Sequence, residues 1–178
     1  CTPSCAPTLT LNFSLGFCLL MIDWSNLHTF EDSRRTGFEQ FCYTIAKRKY
    51  GHLGSFTPID DSGGGSGVEF YLTFPDDTVW GWQAKFFSDG RLSNGSRKRQ
   101  IKKSLKRSCE DHPTLNKWFL CTPTDLTVGE QEWFEGTLSS SILDGEPVVP
   151  VGRVLELKHW GDTRFNNFLT EGWATGIY

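Results

Sequence analysis

The chain has 178 residues, a net charge of −3 and a pI of about 5.8. Its length is sufficient for one domain with a buried core, and its 14 Phe, 7 Trp and 4 Tyr indicate an ordered globular protein with an aromatic core. The acidic balance excludes a protein that coats nucleic acid through overall basic charge, so any polyanion site must be local.

Residues 1–20 join a Pro/Ser/Thr-rich start to an apolar run that no Lys or Arg precedes. The run is too short to span a membrane and lacks the basic region of a signal peptide, so we expect neither secretion nor a membrane anchor. Met21 is the only methionine and lies just before the ordinary domain pattern. We therefore expect the natural start at Met21, with residues 1–20 a non-native or unstructured extension.

Six cysteines, at positions 1, 5, 18, 42, 109 and 121, form no CxxC pair and have no histidine spacing suited to zinc. We expect reduced, buried thiols in a cytoplasmic protein. The first helix follows Met21: Phe38, Phe41 and Ile45 recur at helical spacing, and Gly51 marks its end. Glu39 lies beside this apolar stripe.

Residues 53–60 predict a short strand, which Pro58 restricts to the edge of a sheet. The Asp/Gly-rich loop that follows lacks the GxxxxGK[ST] pattern and precedes a strand rather than a helix, which argues against a phosphate cradle. We expect its glycines to let the backbone pass close to a ligand or adopt positive φ.

The stretch Gly63–Lys85 predicts a glycine loop, a strand, a tight turn and a second strand. Apolar and polar residues alternate along both strands. A two-residue turn at Asp76 and Asp77 would put the two apolar sets on opposite faces, so the pattern requires a three-residue loop or a bulge. With that register Glu69 lies opposite or diagonal to Gln83 and Lys85, on the same face.

A strongly basic helix follows, with Ile101, Leu105 and Cys109 at the spacing of a buried stripe and its end before Pro113. Its basic residues are Arg97, Lys98, Arg99, Lys102, Lys103, Lys106 and Arg107. A solvated helix face is the usual explanation of such a charge run. Its place one loop after Lys85, in an otherwise acidic chain, favours phosphate binding instead.

The later elements have weaker signals. Leu115–Cys121 predicts a buried strand, parallel to an earlier one by way of the basic crossover helix. We expect an amphipathic helix starting near Val128, a strand or helix over residues 151–160, and a short helix capped by Asp162.

The polar residues of the hairpin suit phosphodiester hydrolysis, in which a divalent metal activates water and neutralises phosphate charge. Glu69 is the anchoring ligand, Gln83 offers its side-chain carbonyl and Ala84 its backbone carbonyl. Lys85 orients the attacking water or stabilises the developing charge. Glu39, from the first helix, is a second acid near the metal or its water.

These residues resemble the PD-(D/E)XK restriction-endonuclease-like superfamily, in the QxK variant of Mrr-type nucleases. The match covers about residues 31–122: Glu39, the GGGSGVEF sequence with Glu69, the Gln83-Ala-Lys85 motif, the basic helix and the strand after it. The resemblance implies an α/β fold with an αβββαβ core and a mixed central sheet flanked by helices. It also implies DNA cleavage with Mg²⁺ or Mn²⁺, with Gln100 as an additional site residue.

The chain departs from the usual superfamily pattern at both ligands. The acid of the second strand is Glu69 rather than Asp, and Gln83 replaces the usual acid of the third. The metal therefore meets one fewer negative charge, which would weaken or retune its binding.

The passages GWQAKFF and QIKKSLKRS are also similar to the N-terminal nuclease domains of bacterial anti-phage defence proteins, where they are joined to STAND-type NTPases or other sensors. This similarity implies a cytoplasmic effector with a linked sensor or NTPase domain beyond Tyr178. We expect a nuclease-like domain at residues 21–145 and a C-terminal segment, 146–178, leading to the next domain. The similarity also leaves open that the protein forms a homo-oligomer, which double-strand cleavage usually requires.

Two alternatives stand beside a nuclease. One is a catalytically inactive nucleic-acid-binding module on the same fold. The other is a structural or oligomerisation domain, in which Glu69 and Lys85 form only a cross-strand ion pair. The four histidines are scattered without HExxH spacing and no GxSxG is present, which argues against a zinc or serine hydrolase.

Overall fold

The computed structural model describes residues 22–27, 29, 33–59, 66–87, 91–92 and 94–171. Four of the expectations fall outside the described residues: the extension 1–20, the start at Met21, the glycines of the loop before Ser66 and any domain beyond Tyr178.

The described residues form four α-helices and seven strands. The helices are α1 (Arg34–Tyr50), α2 (Gly95–Asp111), α3 (Val128–Glu132) and α4 (Asp162–Thr170), with a 3₁₀ turn at Trp24–Asn26 and a π-helical turn at Trp133–Thr137 that continues α3. The strands are β1 (Ser55–Pro58), β2 (Phe70–Thr73), β3 (Val79–Ala84), β4 (Leu115–Cys121), β5 (Ile142–Leu143), β6 (Glu146–Pro147) and β7 (Glu156–Trp160).

Five strands form one mixed sheet in the order β1-β2-β3-β4-β7. The pairs β1–β2 and β2–β3 are antiparallel, whereas β3–β4 and β4–β7 are parallel. The prediction of an α/β fold with a mixed sheet is confirmed. β1 lies at the sheet edge and ends at Pro58, as expected for a residue without an N–H to donate.

Helices cover both faces of the sheet, and each face has its own core. On one face, Phe38 and Ile45 of α1 and Phe165 of α4 pack with Trp82 and Phe119. The Trp82 and Phe119 rings stack with centroids 4.5 Å apart and planes 2° apart. On the other face the buried residues of α2, with Phe134 and Leu138, pack against β4.

The two long helices end where the sequence predicts, and polar side chains cap their starts. The Ser33 hydroxyl accepts the Thr36 N–H at the start of α1, and α1 ends at Tyr50, immediately before Gly51. Asn94 caps α2, whose stripe of Ile101, Leu105 and Cys109 is buried, and α2 ends at Asp111, ahead of Pro113.

The hairpin between β2 and β3 has the predicted three-residue loop. Phe74 N–H donates to the Thr78 carbonyl, which leaves Pro75–Asp77 as the loop, with Asp77 in the left-handed region at φ 63°. Phe70 therefore lies opposite Trp82. Both rings are buried on the α1 face. The apolar residues of β2 and β3 therefore lie on the same face of the sheet, as their alternation requires.

The C-terminal residues belong to the same sheet and core. β7 pairs with β4, and Phe165 and Phe168 of α4 are buried on the α1 face. The segment at 146–178, expected to lead away from the domain, thus contributes a strand and a helix to it as far as Glu171. The predicted helix near Val128 is α3, and its π-helical continuation buries Phe134.

The predicted cap of α4 is wrong. Asp162 is the first residue of the helix and accepts the Trp24 indole N–H at 2.7 Å, while Gly161 is the N-cap. The carboxylate of Asp125, far away in sequence, accepts the Thr163 N–H instead. A tertiary contact thus replaces the local cap that the sequence suggested.

Gly67 brings the strand that carries Glu69 against α2. Its φ is +74°, and a Cβ there would lie 2.1 Å from the Ser104 carbonyl oxygen. The buried Ser108 hydroxyl donates to the Gly67 carbonyl at 2.7 Å and accepts the Trp118 indole N–H at 3.0 Å. The backbone two residues before Glu69 is therefore held directly against the helix.

Substituting Gly67→Ala should lower the free energy of unfolding by at least about 2 kcal/mol, because alanine adds both positive-φ strain and a clash with α2. Gly95→Ala is the matched control, since a Cβ at that helix-start position meets no atom within 4 Å. We expect it to leave stability unchanged or raise it by up to about 1 kcal/mol. Equal urea midpoints for the two variants would contradict this account of Gly67.

His159, on β7, is half-buried and neutral. Burial lowers its pKa to about 4, and the carboxylates of Asp125 and Glu130 only partly oppose that effect. The Thr122 hydroxyl donates to the Thr124 carbonyl and lies 2.7 Å from His159 Nε2. Because the hydroxyl proton is already donated, Nε2 carries the hydrogen of the neutral ring.

The unfolded chain protonates His159 near pH 6.5, whereas the folded chain does so only near pH 4. Stability is therefore lost as the pH falls between these values, by about 2–3 kcal/mol from this group. We expect His159→Gln, which keeps an N–H for Thr122, to flatten the dependence in urea titrations at pH 7 and pH 4.5. His52→Gln, at an exposed residue, should keep the parent's slope; an unchanged slope in His159→Gln would contradict the assignment.

Candidate active site

Glu69, Gln83 and Lys85 come together at the end of β3. The Gln83 amide nitrogen donates to Glu69 Oε1, and Lys85 Nζ lies 3.9 Å from the same oxygen. The Glu69 side chain is only 7% exposed and that of Lys85 19%. The prediction that these three side chains share one face of the hairpin is confirmed.

The backbone fixes each member of this cluster. Glu69 lies just before β2, and its N–H donates to the Trp82 carbonyl at 2.7 Å while its carbonyl accepts the Ile59 N–H at 2.9 Å. Lys85 lies just after β3, and its N–H donates to the Cys121 carbonyl at 2.9 Å. Main-chain bonds to neighbouring strands thus hold the ends of the cluster.

A buried carboxylate is costly unless it is paired and hydrogen-bonded. Glu69 meets both conditions, because Gln83 supplies a hydrogen bond and Lys85 a positive charge. The arrangement places a carboxylate oxygen of Glu69 beside the Lys85 ammonium at the end of the parallel strands β3 and β4. A cation or a phosphate group bound at this oxygen would therefore also lie close to Lys85.

The predicted metal ligands have a suitable arrangement. The Gln83 amide nitrogen lies between Glu69 Oε1 and the Ala84 carbonyl oxygen, which is 3.4 Å from it. A flip of the Gln83 amide would place its carbonyl oxygen, in place of its nitrogen, beside these two oxygens. One carboxylate with neutral oxygens suits Mg²⁺, which usually keeps several of its waters.

Within the described residues, no group of three or more His, Cys, Asp or Glu side chains is arranged to hold a metal. The predicted ligand set does not need such a group, since it combines one acid with an amide and a main-chain carbonyl. It fits a weakly held, hydrated hard cation, and does not suit a closed zinc centre.

Glu39 reaches the cluster only indirectly. Its carboxylate pairs with Arg35 Nε at 2.7 Å, and its side chain is 20% exposed. One turn along α1, burial raises the pKa of the Cys42 thiol well above its usual range, and a hydrogen bond that the thiol donates to Cys121 and the charges of Glu39 and Glu69 act the same way. Both carboxylates are thus close enough to act on one buried thiol.

The three described cysteines are free and buried, as the sequence predicts. Cys42 on α1 and Cys121 at the end of β4 form a thiol pair behind the polar cluster. The sequence pattern alone does not place these two cysteines near the site. The signal was present, since Cys42 lies in the buried stripe of the helix that carries Glu39.

The basic helix α2 is partly neutralised by acids. Arg99 pairs with Asp144 at 2.7 Å, Arg107 pairs with Asp111 at 2.9 Å, and Lys106 pairs with Glu146. The structure thus uses three of the predicted phosphate ligands in ion pairs, two of them with the β5–β6 hairpin.

The remaining cations of α2 differ in their surroundings. Arg97 donates to the Arg91 carbonyl at 2.6 Å and lies over the Phe87 ring, and Lys98 lies over the Trp133 ring. Among the described residues, Lys102 and Lys103 have no carboxylate within ion-pair distance. Lys98 likewise has no such carboxylate, so the predicted phosphate-binding surface centres on Lys98, Lys102 and Lys103.

No family model matches this chain, and no curated protein matches it either. In the part of the chain that the structure describes, none of the helices has the length and apolar character needed to cross a membrane.

A matched pair of double variants tests α2 as the DNA-binding surface. Lys102→Gln with Lys103→Gln removes two cations that pair with no carboxylate in the described part of the chain, and should reduce the slope of log K against log salt by about 1 to 2. Arg99→Gln with Lys106→Gln removes the same charge from residues that already pair with acids, and should have a smaller effect. Anisotropy of a labelled duplex from about 50 to 200 mM salt gives both slopes; equal losses would contradict this ranking.

Proposed function

We propose that the chain is a metal-dependent endonuclease domain that hydrolyses phosphodiester bonds in DNA. The observation that carries this proposal is the convergence of the Glu69 carboxylate, the Lys85 ammonium and the Gln83 amide beside the Ala84 carbonyl. The element order α1-β1-β2-β3-α2-β4 supports it, because it is the αβββαβ order that the resemblance implies.

Glu69, Gln83 and Ala84 would hold Mg²⁺ or Mn²⁺ through their oxygens. When bound, the metal ion lowers the pKa of a coordinated water and neutralises charge on the phosphate. Lys85 faces the Glu69 carboxylate, and the metal would be a second cation beside it. Gln83 adds an oxygen without adding charge, so the site holds the ion more weakly than one with two acids.

Lys85 has the second role in this mechanism. Its ammonium shares the Glu69 oxygen with Gln83 and is partly exposed, so a phosphate entering the site meets it at the surface. There it stabilises the negative charge that builds on the phosphate oxygens and orients the attacking water. Glu39 lies one helical turn from Cys42 and supplies a second negative charge near the site.

The same proposal includes the setting of the domain. As a cytoplasmic effector linked to a sensor or NTPase domain beyond Tyr178, it would cut DNA when that domain responds to a phage. Cleavage of both strands would then need two copies of the site, which a homo-oligomer supplies.

A catalytically inactive DNA-binding module is the second candidate. The observation that favours it is that Gln83 and Lys85 already satisfy the Glu69 carboxylate without a metal. Such a module would bind DNA through α2 equally well with and without Mg²⁺, and would not cut it.

Lys85→Ala should reduce Mg²⁺- or Mn²⁺-dependent nicking of a supercoiled plasmid by about 10²- to 10³-fold, because the charge that stabilises the transition state is lost. Binding of the same DNA, measured with Ca²⁺ in place of Mg²⁺, should be nearly unchanged. Lys47→Ala, at an exposed lysine in the last turn of α1, is the control and should cut like the parent.

Equal cleavage by Lys85→Ala and the parent would refute the catalytic role of Lys85. If the parent chain binds DNA but does not cut it with either Mg²⁺ or Mn²⁺, the catalytically inactive DNA-binding module is the correct function instead. Glu69→Gln provides a further check, since it should abolish the response to metal while keeping a side chain of the same size.

A further inference from the structure

A groove of about 470 Å³ runs beside the open edge of β7, and we call it the β7 groove. Its lining comes from α1, β3, β4, the helical segment after Thr127, β7 and α4, and includes neither Glu69, Gln83 nor Lys85. Its volume lies within the range of small-molecule sites. The proposed nuclease chemistry makes no use of it.

Aromatic rings form one wall of the β7 groove. Tyr50 and Trp80 are half-buried, so parts of both rings face the groove. Behind them Phe119 and Trp160 are buried, and Tyr50 stacks on Trp160 at 6.2 Å with 28° between the planes. Burial raises the pKa of Tyr50 and the charge of Arg164 lowers it, which puts the guanidinium near the phenol.

The charges of the groove leave a cation available. Lys117 and Lys158 share the carboxylate of Glu156, at 2.7 and 2.6 Å. Arg164 is exposed, lies over the Phe168 ring, and has no carboxylate within ion-pair distance among the described residues. Three cations thus face two carboxylates, Glu156 and Glu135, and the guanidinium suits bidentate binding of a phosphate.

Polar groups line the other wall. Gln131 and Glu135 project from the helical segment after Thr127, and Glu135 lies in its π-helical turn, a feature that often occurs at functional sites. β7 is the last strand of the sheet, so within the described structure its outer main-chain groups have no strand partner. Amide, carboxylate and main-chain groups together match the donors and acceptors on the edge of a nucleobase.

A peptide strand is the less suitable occupant of this edge. Glu156 and Lys158 are exposed along β7 and form an ion pair with each other. Charged side chains on an edge strand disfavour pairing with another strand. An aromatic wall with a neighbouring arginine favours instead a planar ring that carries a phosphate.

We propose that the β7 groove is a nucleotide-binding site, in which the base packs on the exposed part of the Tyr50 ring, with Trp80 nearly perpendicular beside it, and the phosphate pairs with Arg164. The site is separate from the Glu69 cluster and does not depend on its activity. A base next to a phosphate is present both in a free nucleotide and at the phosphorylated end of a single strand. The experiment below distinguishes these two ligands.

The test titrates the full chain with adenosine 5′-monophosphate, followed by calorimetry and tryptophan fluorescence. We expect saturable binding that quenches tryptophan, at least tenfold weaker in Arg164→Gln. Adenosine alone and inorganic phosphate alone should each bind at least tenfold more weakly than the nucleotide. Lys47→Gln, which removes the same charge from an exposed residue of α1 outside the groove lining, should bind like the parent.

A 5′-phosphorylated tetranucleotide forms the second arm. Tighter binding of the strand than of the mononucleotide, with the same loss in Arg164→Gln, would support the site and assign a strand end as its source. Weaker binding of the strand would support the site with a free nucleotide as its ligand. Tyr50→Leu removes the aromatic ring on which the base packs. It should lower the affinity for the nucleotide without changing the affinity for inorganic phosphate.

Three results would overturn the proposal. They are no binding of the nucleotide at millimolar concentration, equal affinity for the nucleotide and inorganic phosphate, and unchanged nucleotide affinity in Arg164→Gln. Because Arg164 is exposed on α4, its substitution should leave the urea midpoint unchanged, so loss of the fold is not an explanation of lost binding.

Discussion

Between β2 and β3, the three-residue loop Pro75–Asp77 holds Phe70 opposite Trp82 and Leu72 opposite Trp80. One residue more or less in this loop would turn every side chain of one strand to the opposite face. The same pairing that buries the aromatic rings against α1 therefore brings Glu69 to Gln83. The core and the candidate site depend on one backbone register, and neither can shift without the other.

The polar cluster of Glu69, Gln83 and Lys85 is stable although it is mostly buried, because its charges and hydrogen-bonding groups have partners. Glu69 loses water on burial, and Gln83 and Lys85 replace it with a hydrogen bond and a counter-charge. Behind the cluster, Cys42 of α1 contacts Cys121 of β4, and burial raises the pKa of the Cys42 thiol. A site of this kind has rigid walls, since the main-chain bonds of three strands and the contact between Gly67 and α2 hold it.

The distribution of charge explains how an acidic chain can present a local basic surface. Seven basic residues lie on α2, but Asp144 and Glu146 of the β5–β6 hairpin pair with two of them, and Asp111 of the same helix pairs with a third. Surface ion pairs of this kind add little stability. Their larger effect is to neutralise part of the charge of α2, while Lys98, Lys102 and Lys103 have no carboxylate within ion-pair distance among the described residues.

The sequence by itself determined the α/β class, the ends of α1 and α2, the odd hairpin loop and the shared face of Glu69, Gln83 and Lys85. These features follow from the helical period of 3.6 residues, the strand period of 2 residues and the residues that end helices, all of which act over a few positions. The tertiary structure decided that β7 and α4 complete the sheet and core, that Asp125 rather than Asp162 caps α4, and that acids neutralise part of α2. Those contacts join residues about 40 positions apart, as in Asp125 with Thr163 and Arg99 with Asp144, where no local period operates.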